Sequence, residues 1–218
     1  MTVQTMLTLL GEGFLTTLAI FALTLIGSLP LGLLVYFGKK CPLAPVRWVV
    51  NAYISIMRGT PLMLQLMVVY FGPNLIFGIQ PPANWRFGAV IVGFIINYAA
   101  YFAEIYRGGI ESIPHGQYEA AEVLGYTKVQ TFVKIILPQM VKRVLPSVTN
   151  EVITLVKDTS LAQVIGVVEM FTRAKQINSA PNSPGMLAFV SAGVIYWVFN
   201  LVVTVVMEKV EKKLSYYE

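Results

Sequence analysis

Apolar residues run almost unbroken from Met6 to Phe37, and Gly38-Lys39-Lys40 ends the run. Comparable stretches extend from about Pro45 to Phe71, from Phe87 to Tyr106, from beyond Pro138 to about Val156, and from Met186 to Met207. A helix needs about 20 mostly apolar residues to cross the hydrocarbon of a bilayer, somewhat more when tilted. The pattern therefore predicts five transmembrane helices. Pro45 suits the first turn of the second, Arg107-Gly108-Gly109 closes the third, and the charged tail EKVEKKLSYYE follows the fifth. Two other connections, GPNLIFGIQPPANWR and AQVIGVVEMFTRAKQINSAPNSP, are mixed in character, and the second reads as short amphipathic helices lying over one face.

The stretch HGQYEAAEVLGYTKVQTFVKIILPQ, His115 to Gln139, breaks the oily pattern in an orderly way. Gly116 to Leu124 are helix formers, and Gly125 stands where a C′ glycine would stop the helix. Glu119 and Glu122 suit the positive end of the helix dipole. Ala120 and Ala121 leave a face of little bulk. Thr127 is placed to cap a second helix, and Pro138 breaks or kinks what precedes it. A short helix parallel to the membrane, a turn, and a helix leading back in are the expected shape.

Composition supports a bilayer as solvent. The 218 residues are 56% hydrophobic and only 12% charged, with a mean hydropathy of +0.68, whereas soluble domains carry roughly 25% charged residues. The expectation is one all-α integral membrane domain over residues 1–218. The net charge of +5 comes without a basic helix or basic-aromatic cluster, so nucleic acid is not an expected partner. The single Cys41 and single His115 exclude an internal disulfide and make a metal centre an unexpected feature. No Lys or Arg precedes the first run, which is too long for a signal peptide. With the N-terminus outside, Lys39, Lys40, Arg107, Lys128, Lys134, Lys142, Arg143, Lys209, Lys212 and Lys213 fall on the cytoplasmic side. Arg86, Arg173 and Lys175 then fall outside, so the charge bias predicts N-out and C-in.

Glu119-Ala120-Ala121, then Gly125, then Ile135 and Leu137-Pro138 resemble in full the EAA signature of membrane subunits of bacterial ABC importers. ISIMRGTPLMLQL, YFAEIYRGGIESIPHGQYEAA and NEVITLVKDTSLAQVIG are similar to the branch of that family that imports polar amino acids. The resemblance implies a type I importer fold in the bacterial cytoplasmic membrane. It implies a coupling helix at about residues 116–125, using Gln117, Glu119, Ala120, Ala121, Gly125, Leu137 and Pro138 to engage a cytoplasmic ABC ATPase dimer. It further implies a second permease subunit, identical or homologous, an external substrate-binding protein, and an amino acid as cargo. No Gly-x4-Gly-Lys-Ser/Thr loop is present, so the chain is expected to bind no ATP or other cofactor and to be non-catalytic, with ATP on the partner.

Ionisable residues in spans usually face a partner or an aqueous path. Arg58 lies about halfway along the second run, before the helix-interrupting Gly59-Thr60-Pro61. Thr60, freed backbone groups and Arg58 suit an amino acid's carboxylate; an internal ion pair is the other reading of Arg58. Glu104, three residues before Arg107, is expected to pair with it. Glu151 and Asp158 are acceptors for an ammonium or members of ion pairs, and Lys157, Thr159 and Ser160 are donors; Gln65 and Asn97 are further polar candidates. A passive channel or a secondary transporter for small polar solutes is the alternative, and neither needs a docking element.

Overall fold

The computed structural model describes residues 1–82, 84–181, 183 and 185–214, so the last four residues of the charged tail lie outside it. Its first helix, α1, runs Val3–Lys39, with the Thr2 hydroxyl accepting from the Thr5 amide at 3.2 Å. The chain continues through α2 (Ala44–Gly59), α3 (Leu62–Phe77), α4 (Trp85–Glu111) and α5 (Gly116–Val123). The remaining helices are α6 (Lys128–Thr131), α7 (Leu137–Asp158), α8 (Met170–Ser179) and α9 (Met186–Leu214). A π-turn, Phe132–Ile136, joins α6 to α7, and a 3-10 segment, Thr159–Ile165, follows α7.

The core forms around α4, whose Phe94, Tyr98, Phe102, Ala99, Ala100 and Ala103 are all buried. α1 lies along it with a face of mainly small residues, including Thr17, Thr24, Ser28 and Gly32. A Cβ on Gly32 would stand 2.8 Å from the Cβ of Phe102 and 3.1 Å from the Ala99 carbonyl. Without hydrophobic drive between helices in lipid, such close backbone approach is what supplies packing energy. A second cluster joins α1, α8 and α9 through Met6, Leu10, Met170, Ala174 and Ala192. There the fully buried Glu169 accepts from the Phe171 and Thr172 amides, both at 2.7 Å, and from Tyr196 at 3.0 Å. It caps α8 and ties it to α9.

Among the described residues three helices, α1, α4 and α9, are long and apolar enough to cross a membrane, and a fourth crossing arises if α2 and α3 count as one. The expected second span is therefore two helices bent by 115° rather than one rod. Pro61 has no N–H and forces Thr60 into extended backbone, φ −123° and ψ 149°. The fourth expected span, α7, has 22 residues but includes Lys142, Arg143, Glu151, Lys157 and Asp158. By length and composition alone, three or four of the five expected spans pass among the described residues. α4 also runs past the expected Tyr106 to Glu111, and α9 past Met207 to Leu214.

Candidate functional site

Two places gather the candidate residues. The first is α5 and the turn after it. The Gly125 amide donates to the Glu122 carbonyl at 2.9 Å and the Tyr126 amide to the Ala121 carbonyl at 3.0 Å. Gly125 sits at φ +74°, so the helix ends in a Schellman motif that favours glycine. Thr127 and Gln130 then form a capping box that starts α6. Pro138 cannot donate to the Lys134 carbonyl, and the chain before it is wound as a π-turn.

Around this corner Glu119 and Ala120 are exposed, and His115 Nδ1 meets Glu119 at 3.0 Å. Ala121 is fully buried, so its small size serves packing inside the chain rather than an open face. Gln117 accepts from Gln139 at 3.2 Å, which links α5 to α7. Leu137 is half-buried and Pro138 exposed. Val123, Leu124 and Val129 are 88%, 72% and 72% exposed, an apolar surface at the tip of a polar segment. These three were missed in the sequence; their signal was apolar residues crowded around a C′ glycine.

The second place is a cleft of about 400 Å³ between α2, α4 and α7. Glu104 stands at its wall with three cations: Arg107 at 2.9 Å, Arg58 at 3.7 Å, and Lys39 of α1. The Glu104–Arg107 pairing appears as expected. Glu111 continues the network to Lys40 at 3.1 Å and to Arg107. Arg58 also lies over the Tyr101 ring, 5.6 Å from its centroid. Its guanidinium reaches along α4 to Glu104, while the neighbouring Met57 carbonyl sits against Asn97 near the middle of α4.

Glu151 lines the same cleft, with Ser147 and Arg143 beneath it. These sit at four-residue spacing on one face of α7, a signal that the sequence held unread. Arg143 donates to the Ser112 carbonyl and ties α7 to the end of α4. Arg58 and Glu151 are thus brought together, whereas the other polar candidates are placed elsewhere. Gln65 donates to the Met57 carbonyl at 3.0 Å and to the Thr60 carbonyl and hydroxyl at 3.1 and 2.9 Å. Asn97 donates to Gln65 at 2.9 Å and to the Met57 carbonyl at 3.2 Å. Thr60 itself donates to Ile56 at 2.8 Å. These three residues satisfy the carbonyls that the broken helix releases, as irregular backbone at membrane depth requires. Asp158 accepts from Tyr98 at 2.8 Å, while Thr159, buried, and Ser160 donate to carbonyls within their own turn at 2.8 Å each. Lys157 is exposed. Among the described residues, no group of three or more His, Cys, Asp or Glu could hold a metal.

The arginine transport system permease protein ArtQ of Bacillus subtilis is 38% identical, over 94% of this chain and 91% of its own length. The L-cystine transport system permease protein TcyB of the same organism is 33% identical over 96% and 88%. A crystal structure of an amino acid ABC transporter with histidines superposes with a TM-score of 0.86 at 32% identity, covering 98% of this chain and 100% of that one. The MetNI methionine ABC transporter, in inward-facing form, shares the fold at a TM-score of 0.73 and 19% identity, over 98% and 99% of the two chains. A family profile matches residues 28–216, and the chain accordingly belongs to the binding-protein-dependent transport system inner membrane components, with the type I ABC permease fold.

Proposed function

We propose that this chain is the translocation subunit of an ATP-driven importer of polar amino acids. It works in the bacterial inner membrane beside a second permease subunit, an ATPase dimer and an external substrate-binding protein. The observation that carries the reading is the corner formed by α5, Gly125 and α6. It is capped at each turn, carries the complete EAA pattern, and offers Val123 and Leu124 to a partner. A channel or a secondary transporter needs no such element. ATP stays on the partner, and its work enters through Gln117, Glu119, Ala120, Ala121 and Gly125, with Leu137 and Pro138 passing it to α7. Linkage requires the nucleotide-bound partner to favour one permease conformation through contacts it makes only there.

The cleft is the proposed passage for substrate. Glu151 faces an ammonium and Arg58 a carboxylate, with Asp158, Lys157, Thr159 and Ser160 at the far end of α7 and Thr60, Gln65 and Asn97 holding the helix break beside it. The test is reconstitution in vesicles with the cognate ATPase and binding protein. ATP-driven uptake of one member of a panel of arginine, histidine, glutamine, glutamate and cystine is expected. Uptake that proceeds without ATP, or a tagged chain that brings down no ATPase under gentle detergent, sinks the reading.

A further inference from the structure

A groove of about 470 Å³ opens between the start of α7 and the end of α9. Ile135, Pro138, Val141 and Leu214 make its apolar floor, and Lys134 and Lys142 flank it. Leu214 ends an apolar face of α9 on which Val206 and Val210 precede it at four-residue spacing, 52% and 40% exposed. The groove therefore opens off the surface that α9 shows to lipid. The apolar part of α9 stops at Met207, and Leu214 lies about 10 Å further along the axis. That depth is the headgroup layer, where long lysine stems keep their ammonium groups wet. Glu208 and Glu211 of α9 line none of the groove, whereas Lys209, Lys212 and Lys213 add positive charge on the same helix end. Lys134 rests its ammonium 5.7 Å over the Tyr126 ring, a loose contact that an anion can replace.

We propose that this groove binds an anionic phospholipid, with Lys134 and Lys142 on the headgroup phosphate and the apolar floor against the glycerol and first acyl carbons. Lysines beside a membrane-spanning helix attract anionic lipid, each by about a factor of five. The floor contains Pro138 and adjoins the π-turn, the joint between α5 and α7. A lipid seated there braces that joint, so membrane charge sets how firmly movement of α5 reaches the cleft. The lipid site goes beyond the transport reading, whereas its effect on the movement of α5 rests on that reading.

The test is native mass spectrometry of the purified transporter after incubation with dioleoyl phosphatidylglycerol or dioleoyl phosphatidylcholine. The wild type is expected to retain phosphatidylglycerol preferentially. Lys134→Gln with Lys142→Gln should bind it about 30-fold more weakly, and Lys134→Arg with Lys142→Arg should keep it. Lys209→Gln with Lys213→Gln, which removes equal charge outside the groove, should weaken it clearly less than the Lys134 and Lys142 pair. Equal retention of the two lipids, or equal loss in both glutamine pairs, overturns the site. A chain ending at Leu214 that gains phosphatidylglycerol would show residues 215–218 to be the occupant and would overturn it too. Retention is read without ATP turnover, so its failure is separable from failure of the import reading.

Discussion

At the scale of single residues, Gly125 and Ala121 show why identity matters in a short element. Gly125 holds φ +74°, and a Cβ added there would meet nothing within 4 Å. The demand is thus on backbone conformation alone. A β-branched residue in the left-handed region costs about 1–3 kcal/mol, enough to unwind the Schellman motif and displace Val123 and Leu124 from the surface proposed to meet the ATPase. Gly125→Val is expected to leave the transporter assembled but raise the ATP hydrolysed per substrate imported. Gly125→Asn should stay close to wild type, because asparagine tolerates this region. Paired ATPase and uptake assays in vesicles read the ratio; an unchanged ratio for Gly125→Val removes the turn from the coupling path. Ala121 makes the opposite point. Both alanines of the motif look equivalent in sequence, yet one is buried against the chain and the other is open.

At the scale of elements, much of the fold was legible in advance. The end of α1 and the start of α9 follow from where apolar runs meet glycine, lysine or proline, and the end of the short α5 follows from Gly125. The bend between α2 and α3 was legible only as an interruption at Pro61. Its angle of 115° depends on Gln65 and Asn97 reaching across to Met57 and Thr60, and no local pattern announces such a contact over thirty residues. The same distance effect hid the cleft, since Arg58, Glu104 and Glu151 come from three helices. A double-mutant cycle tests the account. Gln65→Leu and Asn97→Leu should each destabilise the chain by about 1–3 kcal/mol, because carbonyls at the break lose their donors. The double variant should cost less than the sum, since one bond joins the two residues. Thermal unfolding in detergent measures all four corners of the cycle, and strict additivity would sever the proposed link.

At the scale of the whole molecule, the structure sorts the cations into two groups that the sequence could only assign by rule. Lys39, Lys40, Arg107 and Arg143 converge where α1 and α4 end and α7 begins, through Glu104, Glu111 and the Ser112 carbonyl. Arg86 lies by Gly166 and Tyr70, and Arg173 by Glu12 near the start of α1. The two groups occupy opposite ends of α1, which at 37 residues is longer than a bilayer's hydrocarbon core. Such separation is what the positive-inside rule acts on, and by that rule α5 is expected on the cytoplasmic side. The chain carries its own reporter, the single Cys41 one residue beyond Lys40, partly exposed. A membrane-impermeant maleimide added to intact cells is expected to leave Cys41 unlabelled until the membrane is permeabilised. In a Cys41→Ser background, Lys175→Cys should label from outside at once, because Lys175 is exposed on α8 at the other end. The reverse pattern would invert the protein, place α5 where no ATPase can reach it, and bring down the import mechanism with the orientation.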